Sequence, residues 1–137
     1  MVKDEIVARV KSLGLPLNSY VVFGSCPMAA AGIREAKDID LYVTDDVLKD
    51  LSKKGWKKIH KGPKDEPYTL DIFEAHANWD FSPYAPTLDY LLESAMIIDG
   101  VSFASLEEVR RWKAASGGPK HEADIKLIDK YLAKEGV

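Results

Sequence analysis

Cysteine is almost absent from this sequence, since Cys26 is the single thiol among 137 residues. A lone cysteine cannot form an internal disulfide, so we expect a fold that does not depend on an oxidising compartment. No stretch approaches the run of about 18 apolar residues that a membrane helix needs. The first residues carry scattered charges instead of the apolar core of a secretory signal. The sequence therefore predicts a soluble, cytoplasmic protein.

The chain also lacks a strong excess of charge of either sign. It has 19 Lys and Arg against 22 Asp and Glu, a formal net charge of −3, which implies no global attraction to nucleic acid or anionic membrane. Lysines do concentrate in K-K-G-W-K-K (53–58) and K-G-P-K (61–64). This local basic patch either binds an RNA acceptor or consists of ordinary solvated lysines, and the sequence leaves both interpretations open.

Length and pattern indicate one domain spanning residues 1–137, because 137 residues with 46% apolar content suit one hydrophobic core. We predict strands at 19–24, 38–43 and 68–75, a hairpin at 96–103, and helices at the N-terminus, after the caps Thr44, Thr87 and Ser105, and from Lys120 onward. This order indicates an α/β or α+β fold with a helical C-terminal part.

Two carboxylates stand side by side in the second predicted strand, D-I-D-L-Y-V. Asp38 and Asp40 are two positions apart, so on a strand their side chains project from one face, roughly 6.5–7 Å apart. That separation suits oxygen ligands converging on one or two Mg²⁺ ions. The alternative is plain surface alternation, in which the pair has no function.

Three further residues favour a site over surface alternation. Gly24 and Ser25 end the first strand where a helix begins, and phosphates bind well at such a position. Asp71 lies within the apolar stretch Y-T-L-D-I-F, where a solvated acid is unusual. If that strand lies beside residues 38–43, three acids meet, as in metal-assisted phosphoryl transfer.

These residues resemble the signature of the DNA polymerase β-like nucleotidyltransferase superfamily. The matching features are Gly24-Ser25, then Asp38-Ile39-Asp40-Leu41, then an acid on a later strand, Asp71. The motif region spans about residues 18–75. In addition, K-H-E-A-D-I-K-L-I (120–128) is similar to the R/K-x-K-D-x-x-D-I-x-x-L ending of small nucleotidyltransferases of the abortive-infection and antibiotic-modifying branch, although His121-Glu122 stands where that branch often has Lys-Asp.

The resemblance implies a nucleotidyltransferase fold, a mixed sheet flanked by helices, and transfer of NMP from an NTP such as ATP to a hydroxyl. It implies Mg²⁺ or Mn²⁺ on Asp38, Asp40 and Asp71, with Asp71 also activating the acceptor hydroxyl. It further implies phosphate contacts by Gly24, Ser25, Arg34 and Lys120, with Lys113 as an additional basic candidate. The acceptor stays open between a small molecule, RNA or tRNA, and a protein.

Other interpretations remain open on sequence alone. The chain could bind a nucleotide or a partner without catalysis, for example as a toxin–antitoxin component, or it could be an unrelated α/β domain in which Asp71 lies away from Asp38 and Asp40. His76 is a candidate substrate contact. Trp79, Phe81 and Tyr84 either stack on a substrate or pack against the core, and Cys26 is expected to be a buried thiol rather than a nucleophile.

Overall fold

The structure is a computed structural model that describes residues 1–63 and 65–135; Lys64, part of the second basic run, lies outside them. The helices are α1 (Lys3–Lys11), α2 (Cys26–Ala30), α3 (Asp45–Lys53), α4 (Leu88–Glu93), α5 (Leu106–Ser116) and α6 (Pro119–Glu135), with a 3₁₀ turn at Leu17–Ser19. The strands are β1 (Tyr20–Phe23), β2 (Ile39–Val43), β3 (Lys57–Lys58), β4 (Tyr68–Leu70), β5 (Phe73–His76), β6 (Met96–Ile98) and β7 (Val101–Phe103).

All of these strands join one mixed sheet in the order β3-β4-β5-β2-β1-β7-β6. Strand β1 runs antiparallel to β2 and parallel to β7. On its other side β2 runs parallel to β5, and β5 forms a hairpin with β4. The predicted α/β class with a mixed sheet and helical C-terminus is confirmed.

Apolar side chains cover both faces of the sheet, and the alternation of the strands decides which face each one joins. On one face, Ile39, Leu41 and Val43 of β2 pack with residues of α1 and α3. On the other face, Tyr42 packs with residues of α4, α5 and α6. Asp40 lies between Ile39 and Leu41 and therefore points toward the second face, the one that carries the C-terminal helices.

Local signals in the sequence identified several element boundaries correctly. Thr44, Thr87 and Ser105 each accept a hydrogen bond from a backbone amide in the first turn of the helix that follows, as expected of N-caps. The Asp99-Gly100 turn joins β6 to β7 with positive φ at both residues, which is the geometry of a tight hairpin. The predicted caps and the predicted hairpin are confirmed.

The single strand predicted at 68–75 is wrong, because the chain reverses there. Leu70 pairs with Phe73 across a two-residue turn made by Asp71 and Ile72. Asp71 has φ +55°, a conformation that aspartate tolerates better than most residues. Asp71 is therefore a turn residue, and the acid that lies within β5 is Glu74.

The irregular segment between β5 and α4 is held against α5 by a buried carboxylate. Glu108 accepts hydrogen bonds from the hydroxyls of Tyr84 and Tyr90, each at 2.8 Å, and from Arg111. Burial, together with the hydrogen bond to Glu108, raises the pKa of the Tyr84 hydroxyl.

Within residues 1–63 and 65–135, no helix is both long and apolar enough to cross a membrane.

Candidate active site

The loop after β1 touches the acid of β2 directly. Phe23 pairs with Asp40 in the antiparallel ladder, so the next residue, Gly24, lies beside the carboxylate. A Cβ added at Gly24 would fall 2.3 Å from Asp40 Oδ2, well inside van der Waals contact. Gly24 also has φ +67°, a conformation that favours glycine. Both features require glycine at this position.

The parallel pairing of β2 with β5 brings a second carboxylate and an imidazole to Asp40. Asp40 is opposite Glu74, and Tyr42 is opposite His76. Glu74 and His76 are two positions apart, so they share the face to which Asp40 points. One ligand atom from each of Asp40, Glu74 and His76 lies within 4.8 Å of the other two. We call these three residues the β2–β5 cluster.

The donor set of the β2–β5 cluster suits a divalent cation, since carboxylate oxygen and imidazole nitrogen are common metal ligands. Within the described residues, this cluster is the group of His, Cys, Asp and Glu side chains close enough to hold an ion. Lys61 already places a positive charge there, because its ammonium forms an ion pair with Glu74. The hydrogen bond to Glu74 is the main reason that the pKa of Lys61 is raised.

A cavity of about 220 Å³ opens in front of the cluster. Its aromatic wall consists of Trp79, Phe81 and Trp112, whose ring centroids lie 5.2–5.8 Å apart. Its polar wall includes the β2–β5 cluster, Lys61, Asp65, Asn78 and Asp80. Trp79 and Trp112 are at least nine-tenths buried, so these rings pack against the core and also line the cavity. The expected packing of Trp79 against the core is confirmed, and its stacking on a substrate stays a prediction.

The structure does not bring Asp71 into this arrangement. Its carboxylate accepts a hydrogen bond from Arg9 of α1 at 3.0 Å, and its side chain is mostly exposed. Asp38 lies one residue before β2, is exposed, and is outside the β2–β5 cluster as the structure describes it. Ser25 precedes α2 and makes no side-chain capping bond. Of the three predicted acids, Asp40 alone belongs to the cluster.

The predicted phosphate contact Arg34 is paired with a second acid, Asp124. Arg34 Nη1 donates to both carboxylate oxygens of Asp124 at 2.9 Å, and Lys113 Nζ lies 2.9 Å from Oδ2. Lys113 and Asp124 are buried, whereas Lys120 is exposed in the first turn of α6.

Burial lowers the pKa of Lys113. Burial alone would raise the pKa of Asp124, but its bonds to Lys113 and Arg34 outweigh that effect and lower it.

Cys26 is the buried thiol that the sequence predicts. It is fully buried and donates to the backbone carbonyl of Asp38 at 3.2 Å. Burial, with the negative charges of Asp40 and Asp38, raises its pKa to about 12. The thiol therefore stays protonated at neutral pH and helps to hold the start of β2.

Comparison with solved structures finds a similar fold in ANT(2″)-Ia, an aminoglycoside nucleotidyltransferase crystallised in complex with adenylyl-2″-tobramycin. The TM-score is 0.56 at 15% sequence identity, over 96% of this chain and 87% of that chain. The chain has a nucleotidyltransferase-like fold. No protein-family model matches the sequence, and no curated protein matches it.

Sequence reasoning missed Glu74, Lys61 and Asp124 as members of these charged groups. For Glu74 a signal was present, because F-E-A-H alternates apolar and polar residues as D-I-D-L does. In this nucleotidyltransferase-like fold, the alternation of β5 places Glu74 opposite Asp40. For Lys61 the sequence offered no local signal. Asp124 lies within the segment 120–128 that resembles the nucleotidyltransferase ending, but its pairing with the distant Arg34 could not be predicted from that segment.

Proposed function

We propose that this chain is a divalent-metal-dependent nucleotidyltransferase that transfers NMP from an NTP to a hydroxyl of a small acceptor molecule. The cross-strand pair of Asp40 and Glu74 beside Gly24 carries the proposal. The fold supports the reaction class, because ANT(2″)-Ia is a nucleotidyltransferase whose crystal structure holds a nucleotidylated small molecule.

Asp40 and Glu74 would hold the cation, Mg²⁺ or Mn²⁺, which would supply neutralisation of charge on the phosphate oxygens. Asp38, one residue before β2, remains a proposed second ligand, because continuing the alternation of the strand directs it to the same side as Asp40. Asp71 is replaced in this proposal by Glu74, since Asp71 is paired with Arg9. The ion pair with Lys61 must open for Glu74 to act.

The residues around the cation position the reacting groups. Gly24 and Ser25 contact the triphosphate through their backbone amides and the Ser25 hydroxyl, and the exposed Lys120 approaches it from α6. The acceptor oxygen bonds to the α-phosphorus as the bond between that phosphorus and the bridging oxygen breaks. Pyrophosphate leaves, and the Glu74 carboxylate accepts the proton of the acceptor hydroxyl.

The shape of the site favours a small acceptor over RNA. The cavity measures about 220 Å³ and is walled by Trp79, Phe81 and Trp112, which gives apolar surface for a ring-sized group. Among the described lysines of the basic patch, Lys61 is directed to Glu74, while Lys57 and Lys58 are exposed on the edge strand β3.

The test uses NTPs labelled at the α-phosphate, incubated with Mg²⁺ or Mn²⁺ and with separate small-molecule and RNA fractions of a cell extract. Transfer of label to the small-molecule fraction is expected. Asp40→Asn and Glu74→Gln should abolish it, while the matched control Asp129→Asn, an exposed acid of α6, should keep it. Transfer that survives both site variants would contradict the proposal.

The ion pair between Lys61 and Glu74 also favours a second candidate, a protein that binds nucleotide without catalysis. In that case Lys61 supplies the charge that a cation would otherwise supply. Thermal stabilisation by NTP, with no label transfer under any condition and no dependence on divalent metal, would support this second candidate.

A further inference from the structure

The β2–β5 cluster contains a nitrogen ligand, His76, beside its two carboxylates. Mg²⁺ prefers oxygen ligands, whereas imidazole suits first-row transition cations. We propose that Asp40, Glu74 and His76 bind a transition cation such as Mn²⁺ or Zn²⁺ more tightly than Mg²⁺, with His76 providing the selectivity. This inference rests on the proposed function, because the same cluster forms the proposed active site.

The first observation is the position of the ring relative to Asp40. His76 Nε2 lies 3.4 Å from Asp40 Oδ1. Two ligands each about 2.1 Å from one ion are separated by roughly 3.4 Å at a tetrahedral angle and by roughly 3.0 Å at a right angle. The observed separation therefore suits a shared ion with little rearrangement, and Glu74 supplies the third ligand atom within 4.8 Å.

The second observation is that a carboxylate lies on the other side of the ring. His76 Nδ1 lies 3.7 Å from Asp65 Oδ1, so a carboxylate faces the ring nitrogen that points away from Asp40. Metal-binding histidines in proteins usually donate their second ring N–H to such a carboxylate or to a backbone carbonyl, which orients the ring and increases its basicity. Asp65 lies next to that supporting position, since its oxygen at 3.7 Å is slightly beyond hydrogen-bond distance.

The third observation is that packing fixes the ring plane. The indole of Trp79 meets His76 edge to face, with 5.0 Å between ring centroids, and Trp79 is nearly fully buried. A buried indole moves little, so Nε2 keeps its direction toward Asp40.

The experiment compares wild type with His76→Gln and with the matched control His60→Gln, whose ring is exposed and paired with Glu66. Calorimetric titration of the nucleotide-free protein gives the dissociation constants of Mg²⁺, Mn²⁺ and Zn²⁺. We expect Mn²⁺ and Zn²⁺ to bind at least tenfold more tightly than Mg²⁺ in wild type and in His60→Gln. In His76→Gln, that preference should fall by at least tenfold.

A spectroscopic readout identifies the ligand directly. Electron spin echo spectroscopy of bound Mn²⁺ should show coupling to an imidazole nitrogen in wild type and in His60→Gln, and this coupling should vanish in His76→Gln. If His76→Gln loses its native near-ultraviolet circular dichroism, His76→Asp replaces it, with the same loss of coupling expected.

Three results would overturn the inference: no Mn²⁺ or Zn²⁺ binding to the nucleotide-free protein, an unchanged preference in the His76 variants, or no nitrogen coupling. The transfer assay separates this inference from the proposed function. If label is transferred with Mg²⁺ but the preference for Mn²⁺ and Zn²⁺ does not depend on His76, the proposed function stands and this inference is wrong. Metal binding that depends on His76, with no transfer of label from any NTP, would support this inference and contradict the proposed function.

Discussion

Asp40 Oδ2 occupies the space that a side chain at Gly24 would need, 2.3 Å from the position of its Cβ. The end of β1 and the acid of β2 therefore constrain each other. Any side chain introduced at Gly24 would displace the Asp40 carboxylate.

Gly24→Ala should displace the Asp40 carboxylate and weaken divalent-metal binding at least tenfold. Gly14→Ala is the matched control, because Gly14 has a similar φ of +64° but no atom within 4 Å of an added Cβ. Both variants should lose about 1–2 kcal/mol of unfolding free energy from backbone strain, measured by urea unfolding. Equal metal affinity in the two variants would show that the close approach has no functional consequence.

Glu74→Gln should lower the kcat/KM of nucleotidyl transfer at least a hundredfold, about 2.7 kcal/mol of transition-state stabilisation. Asp71→Asn should keep most of the activity, because Asp71 lies in the β4–β5 turn with Arg9 as its partner. Asparagine also tolerates the positive φ at that position. Steady-state kinetics on both variants decides whether Glu74 or Asp71 is the third acid of the site. A larger loss of activity in Asp71→Asn than in Glu74→Gln would favour Asp71.

Lys61→Ala should increase divalent-metal affinity about two- to fivefold, because a cation no longer competes with the Lys61 ammonium for Glu74. The expected change is small, since Lys61 is partly exposed and such ion pairs contribute about 1 kcal/mol or less. Lys58→Ala, on the exposed strand β3, controls for the loss of one positive charge. Calorimetric titration measures both, and an unchanged or weaker affinity in Lys61→Ala would argue against competition.

Asp124→Asn should lower the unfolding free energy by about 3–5 kcal/mol, because it leaves the buried Lys113 without its counter-charge. Asp129→Asn, which breaks the more exposed pair with Arg110, should cost about 1 kcal/mol or less. Urea unfolding at neutral pH measures both.

The effect of Asp124→Asn should also depend on pH. The pKa of Asp124 is lowered from its ordinary 3.8 in the folded protein, so its contribution to stability is complete above about 3.8. That contribution is lost as the pH falls through the lower, folded pKa. The difference between wild type and Asp124→Asn should therefore shrink only in that acidic range, and a constant difference would contradict this account.

The parts of the fold that the sequence predicted correctly are those decided by neighbouring residues. Thr44 and Ser105 cap helices through amides three positions away, and Asp99-Gly100 is a strong local turn signal. Asp40 was identified for the same reason, since its alternation with Ile39 and Leu41 is visible along one strand.

The errors concern residues whose role depends on distant pairing. The turn at Asp71-Ile72 contains no glycine or proline, and apolar residues stand on both sides of Asp71, so the segment resembled one strand. Glu74 could not be chosen over Asp71 without knowing that β5 runs parallel to β2 in this register. Lys61 and Asp124 meet their partners only through tertiary packing.

The two-residue turn between β4 and β5 has a consequence for how this site can be lost in evolution. Glu74 and His76 face the cavity because the turn sets the register of β5, and a shift of one residue moves every side chain of a strand to the opposite face. Deletion of a single codon in this turn would therefore remove both residues from the site at once. Substitutions in the same turn would leave them in place.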